Sequence, residues 1–280
     1  MRKESITSAQ NPKIKNLLLL QEKSKARREQ GLFVVEGRRE LEHCLEAGFQ
    51  VRTLFICPEL AGNEALSGAF ARIGSRSDAE GRASSPATDP LVIEIPENLY
   101  RKVAYRESTE GIIAEVECKE RRLEDLALTE HPLVMVLESV EKPGNLGAVL
   151  RSADAARADA VIVCDPLTDL YNPNLIRASL GGIFTVPTVA ATSEETIAWL
   201  KARGIRILTA QLQDSSWYYD IDMTVGTALV MGTESTGLTD IWRRAADAHI
   251  RIPMLGRLDS LNVSVSAAIL LFEAVRQRNA

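Results

Sequence analysis

The sequence predicts an α/β protein of two domains, whose C-terminal domain holds a mainly parallel sheet with helices on both faces. A chain of 280 residues is long enough for two domains. After about residue 125, apolar strand-like runs alternate regularly with helical patterns, as expected for a parallel sheet covered on both faces. The charged segment 118–132 separates this half from a less regular first part. We therefore predict the domains as 1–125 and 126–280.

The first domain alternates helical and strand patterns. The segment 11–30 predicts one helix ended by Gly31, with an exposed face rich in Lys and Arg. A second helix is predicted at 38–48. Aliphatic and β-branched runs predict four strands, at 33–37, 51–57, 91–95 and 111–117. The polar segment 74–90, rich in Gly, Ser and Pro, is predicted to be a loop.

The second domain shows the more regular alternation. Apolar runs predict strands, at 133–138, 160–164, 205–210, 227–232 and 249–253. Helical patterns predict helices, at 145–157, 173–180, 194–203, 239–247 and 263–278. Polar side chains at the helix starts predict N-caps: Asn145 for the first, Ser193 for the third, and Asn262 or Ser260 for the last.

Charge and cysteine content limit the function classes. The net charge of −5 argues against a protein that coats nucleic acid without specificity. Residues 1–40 nevertheless hold ten basic and five acidic side chains, which suits either an RNA-contacting segment or a solvated helix face. Four scattered cysteines and three histidines show no metal-ligand spacing, so we expect reduced thiols and no metal. We find no signal peptide and no membrane span, and we expect a cytoplasmic protein.

Three segments of the second half combine Gly or Pro with polar side chains next to apolar runs. They are PGNLGAVLR (143–151), VMGTESTGL (230–238) and IPMLGRLDSLNVSVSAAILLFEA (252–274). Loops at the carboxyl ends of strands usually build the ligand sites of α/β sheets, so the three segments predict one composite site. The glycine-rich dinucleotide loop, the P-loop and the GxSxG nucleophile elbow are all missing from the sequence.

The candidate site residues also have structural interpretations. Asn145 can be a helix cap and Arg151 a surface ion-pair partner, at about even odds with a functional role. Glu234 can be a capping carboxylate, and Ser264 can cap the last helix. Gly232 permits close approach of the backbone to a ligand.

Together the three segments resemble, in order, spacing and strand context, the three motifs of the SpoU (TrmH) class of SPOUT RNA 2′-O-ribose methyltransferases. The resemblance is strong over 130–280, and Asp259 is a conservative departure from the pattern. The N-terminal stretches ITSAQNPKIK and FVVEGRRELEHCLEAG are similar to the small, ribosomal-protein-like α/β domain that binds substrate in this family.

The resemblance implies a C-terminal trefoil knot, a homodimer, and S-adenosyl-L-methionine bound in the knot. It places Gly232, Ile252 and Leu261 at the cofactor, with Thr209 and Ala210 as further contacts. The implied catalytic residues fall on all three segments: Arg151, Asn145, Glu234, Asn262 and Ser264. The family assigns Arg151 to deprotonation of the ribose 2′-hydroxyl. A guanidinium normally stays charged, so we favour an electrostatic role for it.

The resemblance also implies an RNA substrate, for which rRNA is our first choice and tRNA our second. The sequence leaves two other functions open. One is a non-catalytic RNA- or ribosome-binding protein that retains the fold, although the intact Asn145, Arg151, Glu234 and Asn262 argue against it. The other is methylation of a base instead of a ribose.

Overall fold

The computed structural model describes residues 2–62, 90–105, 110–233 and 236–279. The chain divides into two compact units: Met1–Lys119 with Tyr171–Gly181, and Glu120–Leu170 with Gly182–Ala280. The first unit ends before the predicted boundary at residue 125, and it includes a segment from the middle of the second half. Apart from residue 90, the predicted loop 74–90 lies outside the described residues.

The first unit is built on a five-stranded sheet. Its strands are β1 (Arg2–Ser5), β2 (Leu32–Glu36), β3 (Val51–Ile56), β4 (Leu91–Glu94) and β5 (Ile112–Glu117). Their order is β1-β4-β3-β5-β2, with β4 parallel to β1 and β3, and β5 antiparallel to β3 and β2. Helices accompany the sheet at Pro12–Glu22, Ser24–Gln30, Arg38–Glu46, Pro58–Ala61, Glu97–Val103 and Pro173–Ala178.

The single helix predicted at 11–30 is wrong, because the chain forms two helices that break at Lys23. Lys23 has an extended backbone, with φ −112° and ψ 111°. Within this segment, predicted to have an exposed basic face, Arg27 is only 3% exposed. Its guanidinium Nη1 donates to the carbonyl oxygens of Leu20 (2.6 Å) and Gln21 (3.1 Å). Arg27 therefore satisfies carbonyls at the end of the first helix, where the ladder leaves them without partners.

The second unit is built on a seven-stranded sheet in which every pair of neighbours is parallel, as predicted. Its strands are β6 (Leu133–Glu138), β7 (Ala160–Cys164), β8 (Thr188–Ala191), β9 (Arg206–Ala210), β10 (Ser216–Trp217), β11 (Thr227–Met231) and β12 (Ala248–Arg251). Their order is β10-β12-β9-β11-β6-β7-β8. β6, β7 and β11 are buried at every residue, as expected for strands covered on both faces.

Helices of the second unit follow the strands at Pro143–Ala155, Gly182–Thr185, Ser193–Ala202, Asp240–Ala245 and Val263–Arg278. Strands β1, β8 and β10 were not predicted from the sequence; each is an edge strand of at most four residues. Within the described residues no helix is long and apolar enough to cross a membrane. The same residues hold no group of three or more His, Cys, Asp or Glu side chains able to bind a metal ion.

The predicted N-cap at Ser193 is wrong by one residue. Thr192 caps the helix through a reciprocal pair of hydrogen bonds with Glu195. Ser193 is the first helical residue, and its buried hydroxyl donates to Asp165 at 2.6 Å. It also accepts a hydrogen bond from the indole N–H of Trp242 at 2.9 Å. The Ser193 hydroxyl, predicted to cap the helix, therefore takes part in hydrogen bonds with residues distant in sequence.

Candidate functional site

A cavity of about 370 Å³ lies at the carboxyl ends of β9, β11 and β12. These are neighbouring parallel strands, so the loops that follow them meet at one edge of the sheet. The lining residues come from the segments after these strands and from the start of the last helix: Ala210, Gln211, Leu212, Gln213, Met231, Gly232, Thr233, Thr236, Gly237, Leu238, Arg243, Ile250, Arg251, Ile252, Met254, Asp259, Ser260, Leu261, Val263 and Ser266. The second and third sequence segments thus form one concave site, which matches the size of small-molecule pockets.

Gly232 stands where the loop after β11 folds back on itself. Thr233 and Gly237 form an antiparallel bridge, and the Gly237 N–H donates to the Thr233 carbonyl at 3.0 Å. A Cβ atom at Gly232 would overlap with the backbone of Gly237 and Leu238. Only glycine therefore permits this close approach of two backbone segments at the cavity wall. Glu234 lies in this loop, outside the described residues, so its catalytic role stays a prediction.

The five predicted cofactor contacts separate into two groups. Ala210, Gly232, Ile252 and Leu261 line the cavity. Thr209 is fully buried and is not part of the lining, and its hydroxyl lies 2.6 Å from Nδ1 of His249 on the adjacent strand. The cofactor roles of all five stay predictions, and the structure places only Thr209 away from the cavity surface.

Asn145 and Asn262, from the first and third segments, are in direct contact. The Asn262 amide Nδ2 donates to Oδ1 of Asn145 at 3.2 Å. Asn262 caps the last helix, since its Oδ1 accepts from the backbone N–H of Ser264 (3.0 Å) and from the Ser264 hydroxyl (2.6 Å). Three of the predicted catalytic residues are therefore joined through one side-chain amide.

The predicted cap role of Asn145 is wrong. The helix begins at Pro143, after Lys142, so Asn145 already lies inside its first turn. Proline suits the first helical position because its ring fixes φ and its missing N–H has no helical partner to lose. The Asn145 side chain is therefore available for the contact with Asn262.

Arg151 lies two turns further along the same helix, with an exposed side chain. It makes no hydrogen bond or ion pair with any residue in the described part of the chain. Neither Arg151 nor Asn145 lines the cavity. An exposed cation on the helix that carries Asn145 is suitably placed to meet an anionic ligand that approaches from solvent.

Glu138, the last residue of β6, is a site residue that the sequence did not reveal. Its carboxylate is only 3% exposed. It accepts hydrogen bonds from the backbone N–H (2.8 Å) and the hydroxyl (2.5 Å) of Thr239, directly after the loop that contains Gly232. The Ser193 hydroxyl lies 3.5 Å from the same carboxylate. Glu138 therefore attaches the cavity loop to the centre of the sheet.

Two arginines of the cavity wall were also missed. Arg243 lies on the helix Asp240–Ala245, and Arg251 is the last residue of β12. The sequence did not reveal them as site residues, because each lies within an ordinary helix or strand pattern.

Comparisons with known proteins identify the family. Residues 132–272, just over half of the chain, match the model of the SpoU rRNA Methylase family. The chain belongs to this family. Residues 11–114 match the MRM3-like substrate binding domain. The family, the α/β fold class, the enzyme class of RNA 2′-O-methyltransferase and the cofactor S-adenosylmethionine, all expected from the sequence, are confirmed.

Similar proteins cover nearly the whole chain. A 23S rRNA (uridine(2479)-2′-O)-methyltransferase of Streptomyces viridochromogenes is 32% identical, covering 89% of this chain and 84% of the relative. The 23S rRNA (guanosine(2553)-2′-O)-methyltransferase RlmP of Bacillus subtilis is 29% identical, covering 96% and 98%. An AdoMet-bound rRNA methyltransferase from Sinorhizobium meliloti has a TM-score of 0.85 at 30% identity, with 98% of both chains covered.

Proposed function

We propose that this protein methylates a ribose 2′-hydroxyl of 23S rRNA, using S-adenosylmethionine bound in the cavity at the carboxyl ends of β9, β11 and β12. The observation that carries the proposal is that the three segments meet: two line the cavity, and Asn262 of the third contacts Asn145 of the first. The two relatives described above act on 23S rRNA by name, which supports this RNA over tRNA.

The cavity residues suit the cofactor. Its wall offers backbone groups around Gly232 and apolar side chains such as Ile252 and Leu261, which fit the adenosine part. Arg243 and the amides of Gln211 and Gln213 offer donors for the carboxylate of the methionyl part. When bound, S-adenosylmethionine supplies a methyl group on a sulfonium that is already a good leaving group.

The chain's own residues then orient the acceptor ribose and stabilise the negative charge that develops on its 2′-oxygen. The 2′-oxygen forms a bond to the methyl carbon as the sulfur–carbon bond breaks, and the hydroxyl proton leaves to water or to a nearby base. Asn145, held by Asn262, is placed to orient the ribose or its phosphate. Arg151 binds the adjacent phosphate and stabilises the negative charge that develops on the 2′-oxygen.

Substrate binding involves the first unit under this proposal. That unit matches a substrate-binding domain and carries exposed basic residues, including Lys15, Lys25 and Arg28. Such side chains contact RNA phosphates and make affinity dependent on salt. Because the relatives described above are bacterial 23S rRNA enzymes, we also propose that the protein works in the cytoplasm, where bacterial ribosomes are assembled.

We further propose a homodimer and a trefoil knot in the second unit. Large apolar side chains are exposed on the loop and the helix that follow β12, among them Leu255 (96%), Leu258 (76%) and Phe272 (48%). Exposed apolar side chains of this size suit contact with a second copy of the chain. Analytical ultracentrifugation tests the dimer.

Methylation of protein-free 23S rRNA with labelled S-adenosylmethionine, followed by mapping of ribose methylation, tests the main proposal. We expect one labelled 2′-O-methyl nucleotide, absent from the rRNA of cells that lack the gene. Label found on tRNA alone would show that the substrate is tRNA instead of 23S rRNA. Label found on a base would show that the reaction is base methylation. Failure of calorimetry to detect S-adenosylmethionine binding would favour a non-catalytic RNA-binding protein.

A further inference from the structure

Three consecutive aromatic residues lie at an edge of the seven-stranded sheet. Trp217 belongs to β10, which pairs with β12 so that Trp217 is opposite Arg251. The rings of Trp217 and Tyr219 are nearly parallel, with centroids 6.4 Å apart and planes at 22°. Tyr218 meets Tyr219 edge-on at 5.1 Å. We call Trp217, Tyr218 and Tyr219 the aromatic edge.

The aromatic edge is not part of the core. Trp199 and Trp242 are 5% and 0% exposed, whereas Trp217 is half-buried and Tyr219 is 46% exposed. Among the described residues, no partner hydrogen-bonds the Trp217 indole N–H or the two tyrosine hydroxyls. Buried Tyr and Trp usually find such partners, so these rings are arranged as an accessible surface.

Arg251 connects the aromatic edge to the cavity. Its guanidinium carbon lies 4.2 Å from the centroid of the Trp217 ring, in a cation–π contact. The same residue lines the cavity proposed for the cofactor. A ligand on the exposed rings would therefore lie next to the site of methyl transfer.

The chemistry of the edge selects its ligand. Exposed aromatic rings stack on nucleobases of single-stranded RNA, whatever their sequence, because every base has a π face. Asp214 and Asp220, which flank the segment, are exposed and disfavour phosphate binding there. The base is therefore the part of a nucleotide that this surface suits.

We propose that Trp217 and Tyr219 stack on nucleobases that flank the methylated nucleotide, in RNA that is single-stranded or opened at that point. Arg251 holds the Trp217 ring in position. This inference rests on the proposed function, since it places the rings beside the methyl-transfer site, and it adds a contact that selects unpaired RNA over duplex.

Intrinsic fluorescence tests the stacking directly, because Trp217 is the accessible tryptophan of the three. We expect a short oligouridylate to quench the emission of the wild-type protein. Trp217→Phe should lose this quenching, because Trp199 and Trp242 are buried. Undiminished quenching in Trp217→Phe, or none in the wild type, would overturn the proposal. This experiment needs no methyl transfer, so it stands even if the proposed function fails.

Steady-state kinetics with 23S rRNA give the second test. Tyr219→Ala should raise the KM for rRNA roughly tenfold, while the Kd for S-adenosylmethionine stays unchanged. Tyr219→Phe should restore most of the loss, because it keeps the ring. Leu167→Ala removes a 63% exposed apolar side chain elsewhere in the unit and serves as the control.

Two results would assign the rings another role. Equal weakening of rRNA and cofactor binding in Tyr219→Ala would mean that the ring supports the cavity wall. A change of sedimentation from dimer to monomer, with the KM unaltered, would make the edge a contact between copies of the chain. Either result would overturn stacking on RNA.

Discussion

Two carboxylates bind backbone N–H groups at opposite ends of strand β6: Glu138, its last residue, and Asp159, which comes directly before β7. At the amino end, Asp159 accepts hydrogen bonds from the N–H groups of Thr129 and Leu133, both at 2.8 Å. At the carboxyl end, Glu138 accepts from the N–H and hydroxyl of Thr239. Asp159 fixes the start of β6, whereas Glu138 holds the loop after β11, which is five strands later in chain order and pairs with β6 in the sheet.

The two glycines that flank strand β11 also differ between the two ends of the sheet. Gly226 precedes the strand, and a Cβ there would lie 3.1 Å from Cδ of Pro132, a close but adjustable contact. Gly232 follows the strand, and a Cβ there would overlap with backbone. The cavity end of the sheet thus has the tighter backbone packing, at Gly232, and the more deeply buried of the two carboxylates, Glu138.

The largest expected effect comes from Arg151→Ala. Loss of the charge that stabilises the developing alkoxide should reduce kcat roughly a hundredfold or more, with the Kd for S-adenosylmethionine unchanged. Single-turnover methylation of 23S rRNA and calorimetry measure the two quantities. Arg206→Ala, at the amino end of β9, is the matched control and should keep its activity. Near-normal transfer by Arg151→Ala would remove this residue from the mechanism.

Gly232→Ala and Gly226→Ala compare the two glycines that flank β11. The methyl group forces the loop away from Gly237, so we expect S-adenosylmethionine to bind at least about tenfold more weakly, in line with a displaced backbone contact. Gly226→Ala should lower the melting temperature slightly and leave cofactor binding intact. Calorimetric titration of both variants with S-adenosylmethionine measures the two dissociation constants. Equal loss in both would mean that the glycines are needed for the sheet alone.

Glu138→Gln and Asp159→Asn compare the two carboxylates. Each variant loses charge-assisted hydrogen bonds, so the free energy of unfolding should fall by about 1–2 kcal/mol in both. We expect the Kd for S-adenosylmethionine to rise several-fold in Glu138→Gln alone, because only Glu138 holds the cavity loop. Denaturant unfolding and calorimetry give the two quantities. If the Kd rises as much in Asp159→Asn, the effect reflects general destabilisation.

The smallest effect concerns Glu115, a buried carboxylate of the first unit that accepts no hydrogen bond from a backbone N–H of the described residues. Burial raises the pKa of Glu115, against hydrogen bonds from Thr53 and Asn16 that lower it. A raised folded-state pKa means that the native state favours the protonated form, so stability is lost as pH rises through that pKa. Glu115→Gln should therefore raise the free energy of unfolding at neutral pH by on the order of 1 kcal/mol. No gain at neutral pH, relative to acidic pH, would contradict this.

Local patterns in the sequence predicted what depends on local chemistry. The apolar runs of β6, β7 and β11 were correctly predicted, and Asn262 is one of the two caps predicted for the last helix, because burial and capping follow from neighbouring residues. The misplaced cap at Ser193 and the unexpected burial of Arg27 have a common cause. In both cases the hydrogen-bond partner determines where the side chain lies. A short sequence pattern does not specify which partner a polar side chain will find.

The site shows the same limit. The three segments identified the cavity loops, yet Glu138 and Arg251 went unnoticed because their roles depend on Thr239 and Trp217, which are distant in sequence. The membership of 171–181 in the first unit also depends on long-range packing. Within that unit Tyr171 stacks on Phe33, with centroids 4.3 Å apart.

The amide of Asn262 serves a helix and a candidate catalytic group at once. A descendant of this protein that had lost methyl transfer would still need the cap on its last helix, since losing such a cap costs about 1 kcal/mol. Asn262 would therefore persist after the reaction had gone. Arg151, which contributes no hydrogen bond or ion pair to the described structure, would be free to drift. The identity of the residue at position 151 is thus the better marker of an active enzyme among proteins of this fold.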